Sequence, residues 1–292
     1  MEGIIIKALS GFYYVAAGAE TVECRARGLF RLKGTSPLVG DRVEFSITGQ
    51  GKGTIEKIYG RKNYFIRPAV ANVDYLVIIA PAAIPVTDPY LIDRASAIAE
   101  HRGCKVLICI NKVDLDPGDS LFEIYSTTGY KVIRTSAVTG QGIEELREVL
   151  KGTTSAFTGN SGVGKSSLLN ALYPGFNIRV AEVSQKLGRG RHTTRHVELF
   201  SMDDNTFIAD TPGFSSFDPE KMEPIRKEEL QYAFPEFEPW LWGCRFKDCS
   251  HIKEPDCSVL QALAEGKIHP SRHSSYIRLF ELATQIKEWE LQ

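Results

Sequence analysis

No apolar run in this chain is long enough to cross a bilayer. The longest, Tyr75 to Val86, is interrupted by Pro81 and Pro85 and falls short of the roughly 20 residues that a spanning helix needs. A secretory signal is also missing: Lys7 breaks the apolar start and no cleavage-like segment follows. Net charge is nearly absent, at −1, so the chain as a whole points to no oppositely charged partner. Cysteine is sparse, and Cys24, Cys104 and Cys109 stand alone in apolar, strand-like runs. They read as core residues, because free cysteine behaves as a small buried hydrophobe. Nothing demands disulfides, so a reducing cytoplasm is the expected location, with no membrane partner. Repeats and low-complexity segments are lacking. What remains, 43% hydrophobic and 24% charged, is ordinary for a globular protein. A length of 292 residues suits two or three domains.

Three regions follow along the chain. Residues 1–68 read as all β, with short strands at Ile4–Ile6, Phe12–Val15, Thr21–Ala26, Arg42–Phe45 and Gly53–Ile58 between glycine-containing turns. Such a set suits a small barrel such as an OB-fold. Residues 1–67 hold eleven Lys or Arg against six Asp or Glu, which suggests an anionic partner or a solvated basic surface. Tyr13, Tyr14, Arg25, Arg27 and Arg31 could form a stacking and phosphate-binding face, or serve as core aromatics and solvated arginines. Residues 69–218 alternate strand and helix. Val73–Ala80 is the continuous apolar run of a strand buried on both faces. A helix is expected after Pro89 as far as Gly103, with others at Leu121–Thr127, Ile143–Leu150 and Lys165–Leu172. Further strands are expected at Lys105–Ile110, Lys131–Ile133, Ala156–Thr158, His196–Phe200 and Thr206–Ala209. This is a doubly wound α/β layout, whose ligands bind at the strand C-termini. Residues 219–292 are proline-rich, carry a Cys/His cluster, and end in a helix with Tyr276, Leu279, Phe280, Ala283, Ile286 and Trp289 on one face.

The chemistry lies in the middle region. Gly159-Asn160-Ser161-Gly162-Val163-Gly164-Lys165-Ser166, followed by Ser167, matches the P-loop pattern between a strand and a helix. Inward-pointing backbone N–H groups of such a loop wrap phosphates. Lys165 would lie against the outer phosphates, and the Ser166 hydroxyl would ligate Mg²⁺. Asp210-Thr211-Pro212-Gly213 closes an apolar strand; Asp210 would hold Mg²⁺ through water and the Gly213 N–H would meet the γ-phosphate. Asn111-Lys112-Val113-Asp114 ends another strand. A carboxylate there accepts two hydrogen bonds from guanine, a donor pair that adenine lacks. Asn111 would approach the other base edge, the Lys112 stem would lie along its face, and Ser136-Ala137 would back it through the Ala137 N–H. The base-reading half therefore precedes the phosphate-gripping half, the reverse of most GTPases, so the domain reads as circularly permuted. The join falls at Gly152-Thr153-Thr154, since termini of compact domains often lie close together.

Between the phosphate loop and Asp210 runs Lys186–Arg195, basic and glycine-rich. A switch loop belongs there, offering Thr194 to Mg²⁺, with Thr193 the second choice; the alternative is a solvated loop or an RNA contact. Phe214 stands where many GTPases place a water-orienting glutamine. Phe cannot orient water, so intrinsic hydrolysis should be slow. His192 is the local candidate for the catalytic task beside Lys165, or else a surface or RNA-contacting histidine. Further on, Cys244-x₄-Cys249-x-His251-x₅-Cys257 supplies three thiolates and an imidazole, the donor set of a closed structural Zn²⁺ site. The alternative is scattered reduced cysteines and a surface histidine.

Together, the barrel, the permuted nucleotide motifs, the Gly-Arg-His-Thr-Thr loop and the Cys₃His spacing resemble the bacterial RsgA (YjeQ/YloQ) family over essentially the whole chain. The resemblance implies an OB-fold at 1–68, a circularly permuted P-loop GTPase at 69–218 and a zinc domain with helices at 219–292. It implies GTP or GDP with Mg²⁺ and one structural Zn²⁺ as bound groups. It also implies late maturation of the small ribosomal subunit near its decoding region, with hydrolysis stimulated by that subunit. The expected partner is that subunit with its 16S rRNA, and the expected state is a monomer. Two rivals stand beside a GTP hydrolase: an RNA-binding assembly scaffold in which GTP only sets conformation, which Phe214 makes credible, and a P-loop kinase, which the paired guanine and DxxG motifs oppose.

Overall fold

The computed structural model describes residues 1–18, 20–32, 34–66, 68–176, 197–202, 205–210 and 224–285. Strands β1 (Glu2–Leu9), β2 (Phe12–Ala17), β3 (Glu20–Ala26), β4 (Arg42–Gly49) and β5 (Lys52–Ile58) form a barrel in the order β1-β2-β3-β5-β4. A β1–β4 pairing closes it. Only β3 and β5 run parallel, which is the OB-fold arrangement. Alternate residues line the interior, among them Ile5, Val15, Val22, Cys24, Val43, Phe45 and Ile55, as the two-residue period of a strand requires. A short helix, α1 (Gly28–Leu32), and a two-stranded ribbon of β6 (Tyr64–Phe65) and β7 (Val70–Ala71) complete this part. Neither is expected from the sequence pattern.

The central sheet is built from β8 (Tyr75–Pro81), β9 (Lys105–Asn111), β10 (Lys131–Thr135), β11 (Thr154–Thr158), β12 (Glu198–Ser201) and β13 (Phe207–Asp210). Their order is β10-β9-β8-β11-β13-β12, parallel except for β12. Helices α2 (Pro89–His101), α3 (Asp119–Ser126), α4 (Ile143–Leu150) and α5 (Lys165–Leu172) alternate with the strands. The apolar run of β8 is buried throughout because its two faces enter different cores. Leu76, Ile78 and Ala80 join one core, and Val77 and Ile79 the other. Asp88 caps α2 by accepting from the Tyr90 N–H at 3.0 Å, satisfying an otherwise orphaned donor. Only a short segment separates α4 from β11, and β11 inserts between β8 and β13. The permutation is therefore visible as topology: the three strands that come first in this sheet all lie on one side of the phosphate-loop strand.

The barrel and the central sheet meet at β1 and β12. Lys7 pairs with Glu198 in register, and its ammonium reaches the Glu198 carboxylate at 3.0 Å. The C-terminal part contains α6 (Lys227–Leu230), 3₁₀ turns at Gln231–Ala233 and Pro235–Gly243, α7 (Ser258–Ala264) and α8 (Pro270–Thr284). Tyr276 of α8 is buried, with Leu279 and Phe280 packed against the same core. Ile286 and Trp289 lie outside the described residues. The surprise in α8 is Arg272, which is fully buried on the same helix.

Candidate functional site

The phosphate loop leaves β11 after Thr158 and enters α5 at Lys165. Gly164 precedes the helix with φ +92°, and a Cβ there would lie 2.5 Å from the Asn111 Nδ2. A side chain would thus be strained and would also collide with the Asn111 amide. Val163 points inward, fully buried in the core beneath α4 and α5. Ser161, Gly162, Ser166 and Ser167 are exposed, while Asn160, Gly164 and Lys165 are half-buried and Gly159 is buried. The arrangement presents helix-start N–H groups to solvent, the natural seat for an anion.

The parallel register sets Pro81, Asn111 and Thr135 side by side at the strand C-termini. Asn111 is buried, and its Nδ2 donates to the Val163 carbonyl of the phosphate loop at 2.9 Å. Its Oδ1 accepts from the Thr135 hydroxyl at 3.1 Å, which fixes the direction of the amide. The Ser136 hydroxyl donates to Asp114 Oδ1 at 2.6 Å and accepts from the Val138 and Thr139 N–H groups. Asp114 is exposed, Ala137 is half-buried, and Lys112 adopts φ +66°. The Lys112 ammonium donates to the Ile84 carbonyl at 2.9 Å, in the loop that follows β8. Sequence reading missed the Ile84 contact, since a backbone carbonyl leaves no residue signature. It also missed that Thr135 orients Asn111.

Asp210 is the last residue of β13, one step beyond the Ala209–Ala156 pair that aligns β13 with β11. Its side chain, Gly213, Phe214, and the loop with His192, Thr193 and Thr194 lie outside the described residues.

Cys244, Cys249, His251 and Cys257 converge, with donor atoms all within 4.8 Å of one another. Cys244 Sγ lies 3.8 Å from Cys257 Sγ, and His251 Nδ1 lies 3.5 and 3.4 Å from those two sulfurs. A tetrahedral ion with Zn–S bonds of about 2.3 Å sets its sulfurs about 3.8 Å apart, so the donor set fits. With Nδ1 turned inward, His251 Nε2 donates to Gln231 Oε1 at 2.8 Å, the kind of outer hydrogen bond that fixes a ligand ring. Burial pushes the Cys249 thiol up to about 12. The His251 loop is shaped by Glu254, which accepts from the N–H groups of Ser250, Ile252 and Lys253 at 2.8, 3.0 and 3.0 Å. Neither Gln231 nor Glu254 is legible as a partner in sequence.

Arg272 ties this module to α2. Its guanidinium reaches Asp93 at 2.7 Å and Glu236 at 2.6 Å, all three side chains essentially buried. Burial works against the charge on Arg272, but Glu236 and Asp93 outweigh it and hold the group well above its ordinary value. Tyr125 also donates to Asp93, at 2.9 Å. In the barrel, Arg25 lies over the Phe12 ring at 4.8 Å, Arg27 pairs with Glu56 and Tyr14 donates to Glu23. The Arg31 side chain lies outside the described residues.

Comparison with known proteins agrees with this geometry. The RsgA GTPase family model matches residues 58–220, and the RsgA N-terminal domain model matches residues 2–55. A small ribosomal subunit biogenesis GTPase RsgA from Caldanaerobacter subterraneus is 43% identical, over 99% of this chain and 97% of its own. Another of that name from Geobacillus kaustophilus is 45% identical, over 94% and 95%. The crystal structure of YjeQ from Thermotoga maritima superposes with a TM-score of 0.83 at 37% identity, covering 98% of this chain and 99% of that one. That of YloQ, described as a circularly permuted GTPase, gives 0.79 at 36% identity, covering 98% and 96%. The matches run over nearly the whole length of both partners, and the chain belongs to the RsgA family of circularly permuted GTPases.

Proposed function

We propose that this GTPase binds the small ribosomal subunit late in its maturation, contacts the 16S rRNA, and uses GTP hydrolysis to time its release. The names of its relatives support the partner. The observation that carries the site is the Asn111–Val163 hydrogen bond, which joins the two motif halves. Guanine would be read by Asp114, Asn111 and Lys112, backed by Ser136 and the Ala137 N–H. The phosphates would lie in Gly159, Asn160, Ser161, Gly162, Val163, Gly164, Lys165, Ser166 and Ser167, with Gly213 at the γ-phosphate. Ser166, Asp210 and Thr194 would hold Mg²⁺, which supplies positive charge to the phosphoryl oxygens. Lys165 and the loop N–H groups add to that stabilisation at fixed positions. His192 would orient the attacking water. Cys244, Cys249, His251 and Cys257 would hold one Zn²⁺ as a structural staple.

The domain division at 68/69 and 218/219 is part of this reading, as are a monomeric state and a cytoplasmic location. No described helix is long and apolar enough to cross a membrane. The test is GTP turnover titrated with purified small subunits. Stimulation is expected, together with loss of nucleotide binding in Lys165→Ala. Absence of stimulation favours the scaffold alternative, in which GTP only sets conformation.

A further inference from the structure

A cavity of about 460 Å³ opens between the barrel and the C-terminal end of α2, walled by Tyr59, Arg61, Lys62, Tyr64, His101 and Arg102. Its size falls within the roughly 300–1,000 Å³ of small-ligand sites. Among the described residues, no aspartate or glutamate lines it. Tyr64 is 41% exposed, and two guanidinium groups lie near its ring, Arg61 at 5.5 Å and Arg102 at 5.8 Å from the centroid. The walls are held rigidly. Asn63 donates to the carbonyls of Val73 and Gly103, at 2.8 and 3.3 Å, and so ties the barrel exit to the turn after α2. Arg61 forks onto the buried Asp41 at 2.7 and 2.8 Å. Its charge is therefore directed behind the wall, and its plane positions Tyr64.

We propose that this cleft binds one unstacked nucleotide, with the base on Tyr64 and the phosphate against Lys62 and Arg102. An exposed aromatic ring with cations nearby accepts any base by stacking. The Lys62 pair with Asp74 is surface-exposed, so it contributes little and can be exchanged for a phosphate. His101 forms part of the wall; burial lowers its pKa, opposed by Glu229 and aided by Arg102. The cleft lies at the start of β9, whereas Asn111 lies at its end. The two sites are therefore about 20 Å apart along the strand, and filling one leaves the other open. The nucleotide could come from an RNA strand, a source that rests on the ribosomal partner proposed above, or from a free nucleoside monophosphate.

The experiment uses the full chain with Mg·GDP in the P-loop site. It measures fluorescence anisotropy of a labelled single-stranded hexanucleotide RNA, with AMP and the same sequence as a duplex as further arms. Tyr64→Ala should weaken single-strand binding about tenfold, Tyr64→Trp should retain it, and duplex binding should not respond. Tyr64-dependent binding of AMP, with RNA indifferent to the variant, assigns the pocket to free nucleotides. Arg102→Gln serves as a second variant, and melting curves confirm that each folds. If RNA and AMP are both indifferent to Tyr64 and Arg102, the pocket is overturned. Small-subunit-stimulated GTP turnover of the unaltered chain keeps the two readings apart: its absence sinks the ribosomal function, while its presence beside Tyr64-indifferent binding sinks the pocket alone.

Discussion

Asn111 and Val163 lie 52 positions apart in the chain, and the amide of the first donates to the carbonyl of the second at 2.9 Å in a buried setting. That one bond joins the end of β9 to the loop between β11 and α5. It forms only because Gly164 has no side chain to occupy the space in which the Asn111 Nδ2 sits. The permuted chain order leaves this contact intact, because it depends on which strands are neighbours and not on which is made first.

Asn111→Ala should therefore weaken GTP and GDP together. The substitution strands the Val163 carbonyl and frees the Thr135 hydroxyl, and a buried polar group without a partner costs about 1–3 kcal/mol. A loss of roughly ten- to a hundredfold in both affinities is expected, read with a fluorescent guanine nucleotide by stopped-flow. Normal GDP affinity with weakened GTP would show that the bond serves the γ-phosphate alone and would count against this account.

Asp114→Asn acts at the other end of the pocket. The Ser136 hydroxyl occupies Asp114 Oδ1, which leaves the second oxygen and the negative charge for the base. Asparagine keeps one acceptor and replaces the other with a donor that faces guanine donors. The ratio of GTP to ATP affinity should fall at least about tenfold, since a site built for a hydrogen-bonded group strongly rejects mismatched ones. Competition binding measures it, and an unchanged ratio would remove Asp114 from base recognition.

Much of this pocket is legible in sequence because its parts carry backbone demands. The P-loop pattern puts Gly162 and Gly164 where the backbone takes positive φ, and the apolar run from Val73 to Ala80 reads as a strand buried on both faces, which the structure starts at Tyr75. Helices α4 and α5 have the bounds that apolar periodicity implies. Other features leave no such trace. The strands β6 and β7 are two residues each, too short for any period to register. The burial of Arg272 in α8 has no local sign, because nothing near it in sequence reveals that Asp93 and Glu236 wait for it. Gln231 is likewise a polar residue like any other until the fold sets it against His251.

Arg272→Ala should destabilise the seam between α2 and the Cys/His module by about 3–5 kcal/mol, since removing one partner leaves buried carboxylates uncompensated. The tryptophans Trp240, Trp242 and Trp289 all lie in the C-terminal region, so fluorescence in a urea titration reports this part of the molecule. The combined replacement Arg272→Met, Asp93→Asn and Glu236→Gln should recover most of the loss, because neutral groups need no counter-ion. If the triple variant is as unstable as the single one, packing and not charge pairing accounts for the effect.

Glu254→Gln tests how the His251 loop is held. Burial opposes the charge on Glu254, but the Ser250 hydroxyl and the N–H groups of Lys253 and Ser250 outweigh it and hold the carboxyl at about 2, below its ordinary 4.5. A depressed folded-state value means that the ionised form stabilises the fold. That contribution is complete above about pH 4.5 and is lost as pH falls toward 2. At pH 7 the variant should unfold at lower urea than the unaltered chain, and it should release the proposed zinc about tenfold faster to a chromogenic chelator, as loss of an outer support commonly does. The stability gap should stay constant from pH 8 to 5 and close below 4.5. A gap of the same size at pH 3 would show that glutamine disturbs the loop by shape, independent of the carboxylate charge.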